Sequence, residues 1–424
     1  MSFSESPTLA ADRQIKARIA AGERVLHLAF GEAGLPVIPE AAQALSEGAH
    51  LNSYGPVAGS ATSRSAVAGY WSRRGLPTEP EAVLLAPGSK AILYALLMAI
   101  PGEVILPQPS WVSYGAQALI AGHRVIWVPT PPEAGGIPDP GLLKAAILAA
   151  RAEGRRPGCL IVTLPDNPTG TLAGRELVES VCAVAENFGV AVISDEIYRE
   201  LAYQPEAFYS PAESLPERTV VTTGLSKSAA LGGWRIGAAR FPEGAWGNNL
   251  RADVVALASE LWSSLAAPMQ AVAARIFSEP AAVVAHVARS RQLHASVALT
   301  VRQLFIEARA ECRAPQGAFY LYPDFEPVRS GLEALGAGSS DSLAEYLLSQ
   351  QHVAVLPGTA FGDDPSGLRF RVATSLLYGQ TDEQRWASLR SDRPCELPWL
   401  KDSLTHLADA LAPLRSLNAS PGLV

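Results

Sequence analysis

Residues Cys159–Tyr198 read CLIVTLPDNPTGTLAGRELVESVCAVAENFGVAVISDEIY. Cys159–Leu164 is a short apolar run closed by Pro165, and Val190–Ser194 is a second that ends at Asp195. Gly174–Phe188, between them, carries apolar residues at helical spacing. The same alternation extends outward. Ala82–Ala86, Glu103–Leu106 and Arg124–Val128 read as strands upstream, Thr219–Thr223 and Arg235–Arg240 downstream, with a helix over Lys90–Ile100. Strands alternating with helices predict an α/β fold: a mainly parallel central sheet covered on both faces. Such sheets bind ligands at the carboxyl ends of their strands. The residues just past each strand are therefore the first candidates for chemistry.

Each candidate also has an ordinary structural reading. Asn167, in LPDNPTG, sits in a sequence that suits a turn, but its amide is also a donor for a ligand. Asp195 suits a helix N-cap, yet a carboxylate at the end of a buried strand is costly unless paired, and a protonated ring nitrogen would pair it. Tyr198 follows three residues later. Lys227, in TGLSKSAALGGWRIG, follows a β-branched run; a desolvated lysine has the lowered pKa that a Schiff-base nucleophile requires. Arg235 follows a Gly-Gly pair and suits a phosphate counter-ion. Gly88, Ser89 and Lys90, in APGSK, open a helix and offer an anion site. Trp111 is a core aromatic or a stacking partner. Together the candidates suit one ligand that has an aldehyde, a pyridinium, a phenolate oxygen, a phosphate and a flat ring.

Composition narrows the field. The 424 residues are 48% hydrophobic and 18% charged, enough for two domains with large cores. A net charge of −7 argues against nucleic acid as the main partner. Cys159, Cys182, Cys312 and Cys395 have neither CxxC spacing nor a histidine cluster, which predicts free thiols and no metal site. The polar N-terminus shows no secretory signal and no run is long enough to span a bilayer, so a cytoplasmic location is expected. Ser330–Ser342 reads as a Gly/Ser-rich surface loop, and Ser375–Pro398 as an insertion before a last helix near Lys401–Ala412.

In this order, NPTG, SDEIY, SK and GWRIG resemble the fold-type I aminotransferases of class I/II, the aspartate aminotransferase superfamily, from Ser6 to the Arg369–Ser375 strand. The 28 residues from Asn167 to Asp195 and the 8 from Lys227 to Arg235 suit that family. The resemblance implies pyridoxal 5'-phosphate (PLP) as cofactor and amino transfer between an L-amino acid and a 2-oxo acid. It implies that Lys227 carries the cofactor as a Schiff base and Asp195 pairs with the ring nitrogen. Asn167 and Tyr198 would bond the phenolic oxygen, and Trp111 would stack on the ring. Gly88, Ser89, Lys90, Ser226 and Arg235 would surround the phosphate. Gly31, Trp111, Asn167 and Arg369 would face the substrate, with Arg369 taking its α-carboxylate. Tyr54 would reach the neighbouring subunit's site in a homodimer. Residues 48–279 would form a large cofactor-binding domain, and 1–47 with 280–424 a small one.

There are departures. Gly224 stands where the family usually has a phosphate-binding serine, leaving Ser226 or Thr223 as substitutes. Ala33-Gly34 replaces the usual Pro-Asp. Arg371 lies on the strand face of Arg369, and reads as a distal-carboxylate ligand or a structural ion pair, the latter the simpler reading. The alternative chemistry is a PLP-dependent lyase, cyclase or oxidase. A transcription regulator with an aminotransferase-like domain is disfavoured, because the family pattern begins at Ser6.

Overall fold

The computed structural model describes residues 5–417. Its centre is a seven-stranded sheet. The strands are β1 (Val83–Ala86), β2 (Glu103–Gln108), β3 (Val125–Pro129), β4 (Pro157–Thr163), β5 (Ala191–Asp195), β6 (Thr219–Gly224) and β7 (Gly237–Arg240). Their spatial order is β1-β7-β6-β5-β4-β2-β3. Five neighbouring strands, β3, β2, β4, β5 and β6, run parallel, and β7 runs antiparallel to both β6 and β1. Alternation along each strand splits the core into two layers. Val104, Leu106, Ile161 and Ile193 pack on one face. Ile105, Leu160, Val162 and Val192 pack on the other. Burial on both faces is why these strands read as continuous apolar runs. The helix Arg175–Asn187 covers the second face with Val178, Val181, Cys182 and Ala185, one apolar stripe.

Register brings several chain segments to one edge. Gly237, the first residue of β7, lies opposite both Ala86 and Gly224, the last residues of β1 and β6. The loops leaving β1 and β6 and the one entering β7 therefore meet where the parallel strands end.

The rest of the chain adds a three-stranded antiparallel sheet, β8 (Tyr320–Leu321), β9 (Leu356–Pro357) and β10 (Phe370–Ala373), in the order β9-β10-β8. Leu26–His27 pairs with Val353–Ala354, tying the N-terminal segment to the C-terminal part. A separate core joins Leu26, Val297, Phe305, Phe370 and Leu407.

Two expectations change. Ser330–Ser342 is not a loop throughout: Arg329–Ala334 is helical and Ser340–Gln351 is a helix. The serines were capping residues, with Ser339 and Ser342 exchanging side-chain and backbone hydrogen bonds at its start. Residues 375–398 contain a helix of their own, Asp382–Arg390, before the last helix, Pro398–Arg415. Among the described residues no single helix is long and apolar enough to cross a membrane.

Candidate active site

A cavity of about 540 Å³ opens at the carboxyl ends of the parallel strands. Ser89, Lys90, Trp111, Asn167, Asp195, Tyr198, Ser226, Lys227, Arg235 and Gly31 all line it, each delivered by the end of a strand or the loop beyond it.

Asp195 ends β5 and is 2% exposed. The Tyr114 hydroxyl donates to its Oδ2 at 2.8 Å and the Thr222 hydroxyl to its Oδ1 at 3.1 Å. Burial pushes the carboxyl up to about 6, while these hydrogen bonds pull the other way. Its side-chain partners are neutral, so a cationic ring nitrogen would complete the pair. Lys227 donates to the Gly31 carbonyl at 2.5 Å. Burial, aided by the nearby Arg371 guanidinium, brings its ammonium down to about 8, which leaves a usable fraction of neutral amine near neutrality.

Asn167 links two groups. Its Nδ2 donates to the Tyr198 hydroxyl at 3.4 Å, and its Oδ1 accepts from Arg371 at 3.1 Å. The Tyr198 and Tyr320 hydroxyls are 2.7 Å apart. Arg371 also donates to the Ala29 carbonyl at 2.7 Å and lies over the Tyr320 ring. The guanidinium is buried, its Nε has no hydrogen-bond partner among the described residues, and burial holds its pKa below the usual arginine value. A buried cation held only by neutral acceptors is suited to an anionic ligand.

This corrects the assignment of Arg369. That residue precedes β10 and is captured by Asp363, with bonds of 2.8 Å from both Nε and NH2, and approaches Asp324. It does not line the cavity. Two residues along a strand are about 6.8 Å, so a shared face does not mean a shared site. The ion-pair reading of Arg371 also fails, because no carboxylate pairs with it among the described residues. Tyr54 lies outside its own chain's cavity and is 93% exposed. Gly88 does not line the cavity, but the Arg235 guanidinium rests where its Cβ would be. None of residues 376–398 lines it either.

Tyr114, Thr222, Thr163 and Tyr320 were missed. Tyr114 was legible, one helical turn past Trp111; Tyr320 comes from β8, which carries no motif.

The residues fit PLP. Lys227 suits the aldehyde and Asp195 the ring nitrogen. The missing Cβ at Gly88 leaves room for the Arg235 guanidinium, and the missing Cβ at Gly237 lets β7 pack against the Gly88–Ser89 backbone, which sets Arg235 beside the start of the helix Ser89–Ala99, an anion site.

Comparison with known proteins agrees. The sequence model for "Aminotransferase class I and II" matches residues 23–376. The bifunctional aspartate aminotransferase and glutamate/aspartate-prephenate aminotransferase of Petunia hybrida is 33% identical, over 91% of this chain and 80% of its own. The aspartate aminotransferase of Geobacillus stearothermophilus is 31% identical, over 91% and 96%. The structure of Thermus thermophilus aspartate aminotransferase with maleate superposes with a TM-score of 0.81 at 27% identity, covering 96% of this chain and 97% of that one. The chain belongs to the class I and II aminotransferases, PLP-dependent transferases that move an amino group between an amino acid and a 2-oxo acid. The lyase, cyclase or oxidase alternative is not favoured.

Proposed function

We propose that Lys227, Asp195, Asn167, Tyr198 and Arg371 carry out this transfer, with L-aspartate the first donor to test because the relatives are named for it. The supporting observation is that one cavity holds a lysine of lowered pKa, a buried carboxyl and a buried, anion-free arginine. PLP, when bound, supplies an aldehyde and a ring that accepts electrons. Lys227 holds the cofactor at rest and, once free, removes the substrate's α-proton as general base. Asp195, fixed by Tyr114 and Thr222, keeps the ring nitrogen protonated. Asn167 and Tyr198 donate to the phenolic oxygen; Asn167 has its Oδ1 committed to Arg371, which directs its NH2 toward Tyr198. Arg371 takes the substrate's α-carboxylate with its planar fork. Trp111 is the stacking wall.

The chain divides in this reading into a large domain, 48–279, and a small one from 1–47 and 280–424. The tie between Leu26–His27 and Val353–Ala354 supports this. It functions as a homodimer in which the exposed Tyr54 reaches the neighbouring site. The experiment is a donor and acceptor screen: aspartate with 2-oxoglutarate should yield glutamate. Release of ammonia, with no amino acid formed from any 2-oxo acid, would reject the proposal.

A further inference from the structure

Tyr320 is buried and reaches the cavity from β8, outside the seven-stranded sheet. In the antiparallel pairing of β8 with β10 it lies opposite Ala373. Arg371, two residues before Ala373, is therefore its diagonal neighbour on the same face. The guanidinium carbon stands 4.8 Å from the centre of the Tyr320 ring and 5.0 Å from that of Phe361. An aromatic face attracts a cation without neutralising it. Arg371 is thus held in place and stays open to a carboxylate.

The other end of Tyr320 meets Tyr198. The two hydroxyls are 2.7 Å apart, and Tyr198 is the only hydrogen-bond partner of the Tyr320 hydroxyl among the described residues. Gly31 makes room for it, because a Cβ there would collide with that hydroxyl. A phenol carries one proton. Where Tyr198 gives that proton to a ligand oxygen, Tyr198 must accept from its neighbour, and Tyr320 must donate. Burial raises both phenols, Tyr198 well above the ordinary tyrosine range; at Tyr320 the Arg371 guanidinium and the bond to Tyr198 oppose the rise. Tyr320 is the stronger acid of the pair and the better donor. Asn167 also spans Arg371 and Tyr198, but its contact with the Tyr198 hydroxyl is long, at 3.4 Å.

We propose that Tyr320 is a positioning residue for the transfer: its ring supports Arg371 for the substrate carboxylate, and its hydroxyl turns the Tyr198 proton toward the cofactor's phenolic oxygen. The proposal rests on the reading of this cavity as the PLP site, with Arg371 as its carboxylate ligand. A donor at Tyr198 draws electron density from the phenolic oxygen and makes the conjugated Schiff-base nitrogen less basic. Loss of the Tyr320 hydroxyl therefore strengthens that base.

The test is a spectrophotometric pH titration of the PLP-loaded, full-length protein, made on wild type, Tyr320→Phe, Tyr320→Leu, Tyr198→Phe and the double variant Tyr198→Phe/Tyr320→Phe. Thermal unfolding shows that each is folded. Tyr320→Phe should raise the pKa of the pH-sensitive visible band by roughly 0.3 to 1, the worth of part or all of one neutral hydrogen bond. Because its ring remains, its KM for aspartate should stay within about twofold of wild type. Tyr320→Leu should raise the pKa alike and also raise that KM by roughly 3- to 30-fold, as loss of a buried cation–π contact requires. Since the hydroxyl acts through Tyr198, the double variant should titrate like Tyr198→Phe alone. An unchanged pKa in folded Tyr320→Phe, a full additional rise on the Tyr198→Phe background, or an unchanged KM in Tyr320→Leu would each overturn the proposal. No visible band in folded wild type with excess PLP, or no change of pKa in Tyr198→Phe itself, would reject the reading of the site on which it rests, and the proposal with it.

Discussion

Arg371→Met should abolish most productive substrate binding, and Arg369→Met should not. Arg371 is buried, and among the described residues its Nε has no partner and only neutral oxygens hold its two NH groups. Two charge-assisted hydrogen bonds to a carboxylate in such a site are worth about 3–5 kcal/mol together. Their loss corresponds to roughly two to nearly four powers of ten in kcat/KM. Arg371→Lys keeps the charge but not the fork and should recover only part. Arg369 has 31% side-chain exposure and is spent on Asp363 and Asp324. Its loss should cost about 1 kcal/mol of stability and change kcat/KM by less than about threefold, well under one tenfold step. The assay is steady-state transamination of aspartate with 2-oxoglutarate, with thermal unfolding of each variant to show that it is folded. The reasoning is refuted if folded Arg371→Met keeps wild-type kcat/KM, or if Arg369→Met is the more damaged variant.

Three further outcomes follow from the same geometry. Burial lowers the Lys227 ammonium to about 8, so the rate of PLP incorporation into stripped protein, followed by stopped-flow absorbance, should rise as pH increases through that value and then level off; a midpoint near the ordinary lysine value would contradict this. Tyr114→Phe removes one of the two side-chain hydroxyl donors to Asp195, at a cost of about 1–3 kcal/mol in the folded protein. Chemical denaturation should register that cost, and an unchanged midpoint would show that the contact is idle. His294 is buried, bonds the Tyr378 hydroxyl at 2.6 Å, and is lowered by burial to about 3. The unfolded chain therefore binds the extra proton between about pH 6.5 and 3, and stability should fall with falling pH by up to about 1.4 kcal/mol per unit from this group. Denaturation midpoints of wild type and His294→Gln should converge as pH falls; parallel curves would rule His294 out.

The sheet was legible because strands buried on both faces have no polar alternation to confuse them. The run Cys159–Leu164 became Pro157–Thr163, and Val190–Ser194 became Ala191–Asp195. Lys227, Asp195, Asn167 and Trp111 could be brought together because each stands at or just past a strand's carboxyl end, where one sheet edge gathers them. The second sheet was harder. Its strands are two to four residues long, too short for a periodic pattern. Which of two arginines two residues apart faces the cavity depended on Asp363, a carboxylate six residues earlier that claims Arg369. Tyr320, which bonds Tyr198 from that sheet, was hidden for the same reason.

The most direct test of the account is borohydride reduction of the PLP-loaded protein, followed by peptide mass mapping and repeated with Lys227→Ala. The account predicts that the cofactor is fixed to the peptide carrying Lys227, that the wild-type protein loses its visible absorbance on reduction, and that the variant retains no covalent cofactor. Cofactor fixed to a different lysine in wild type, or none fixed in folded protein with excess PLP, would contradict it.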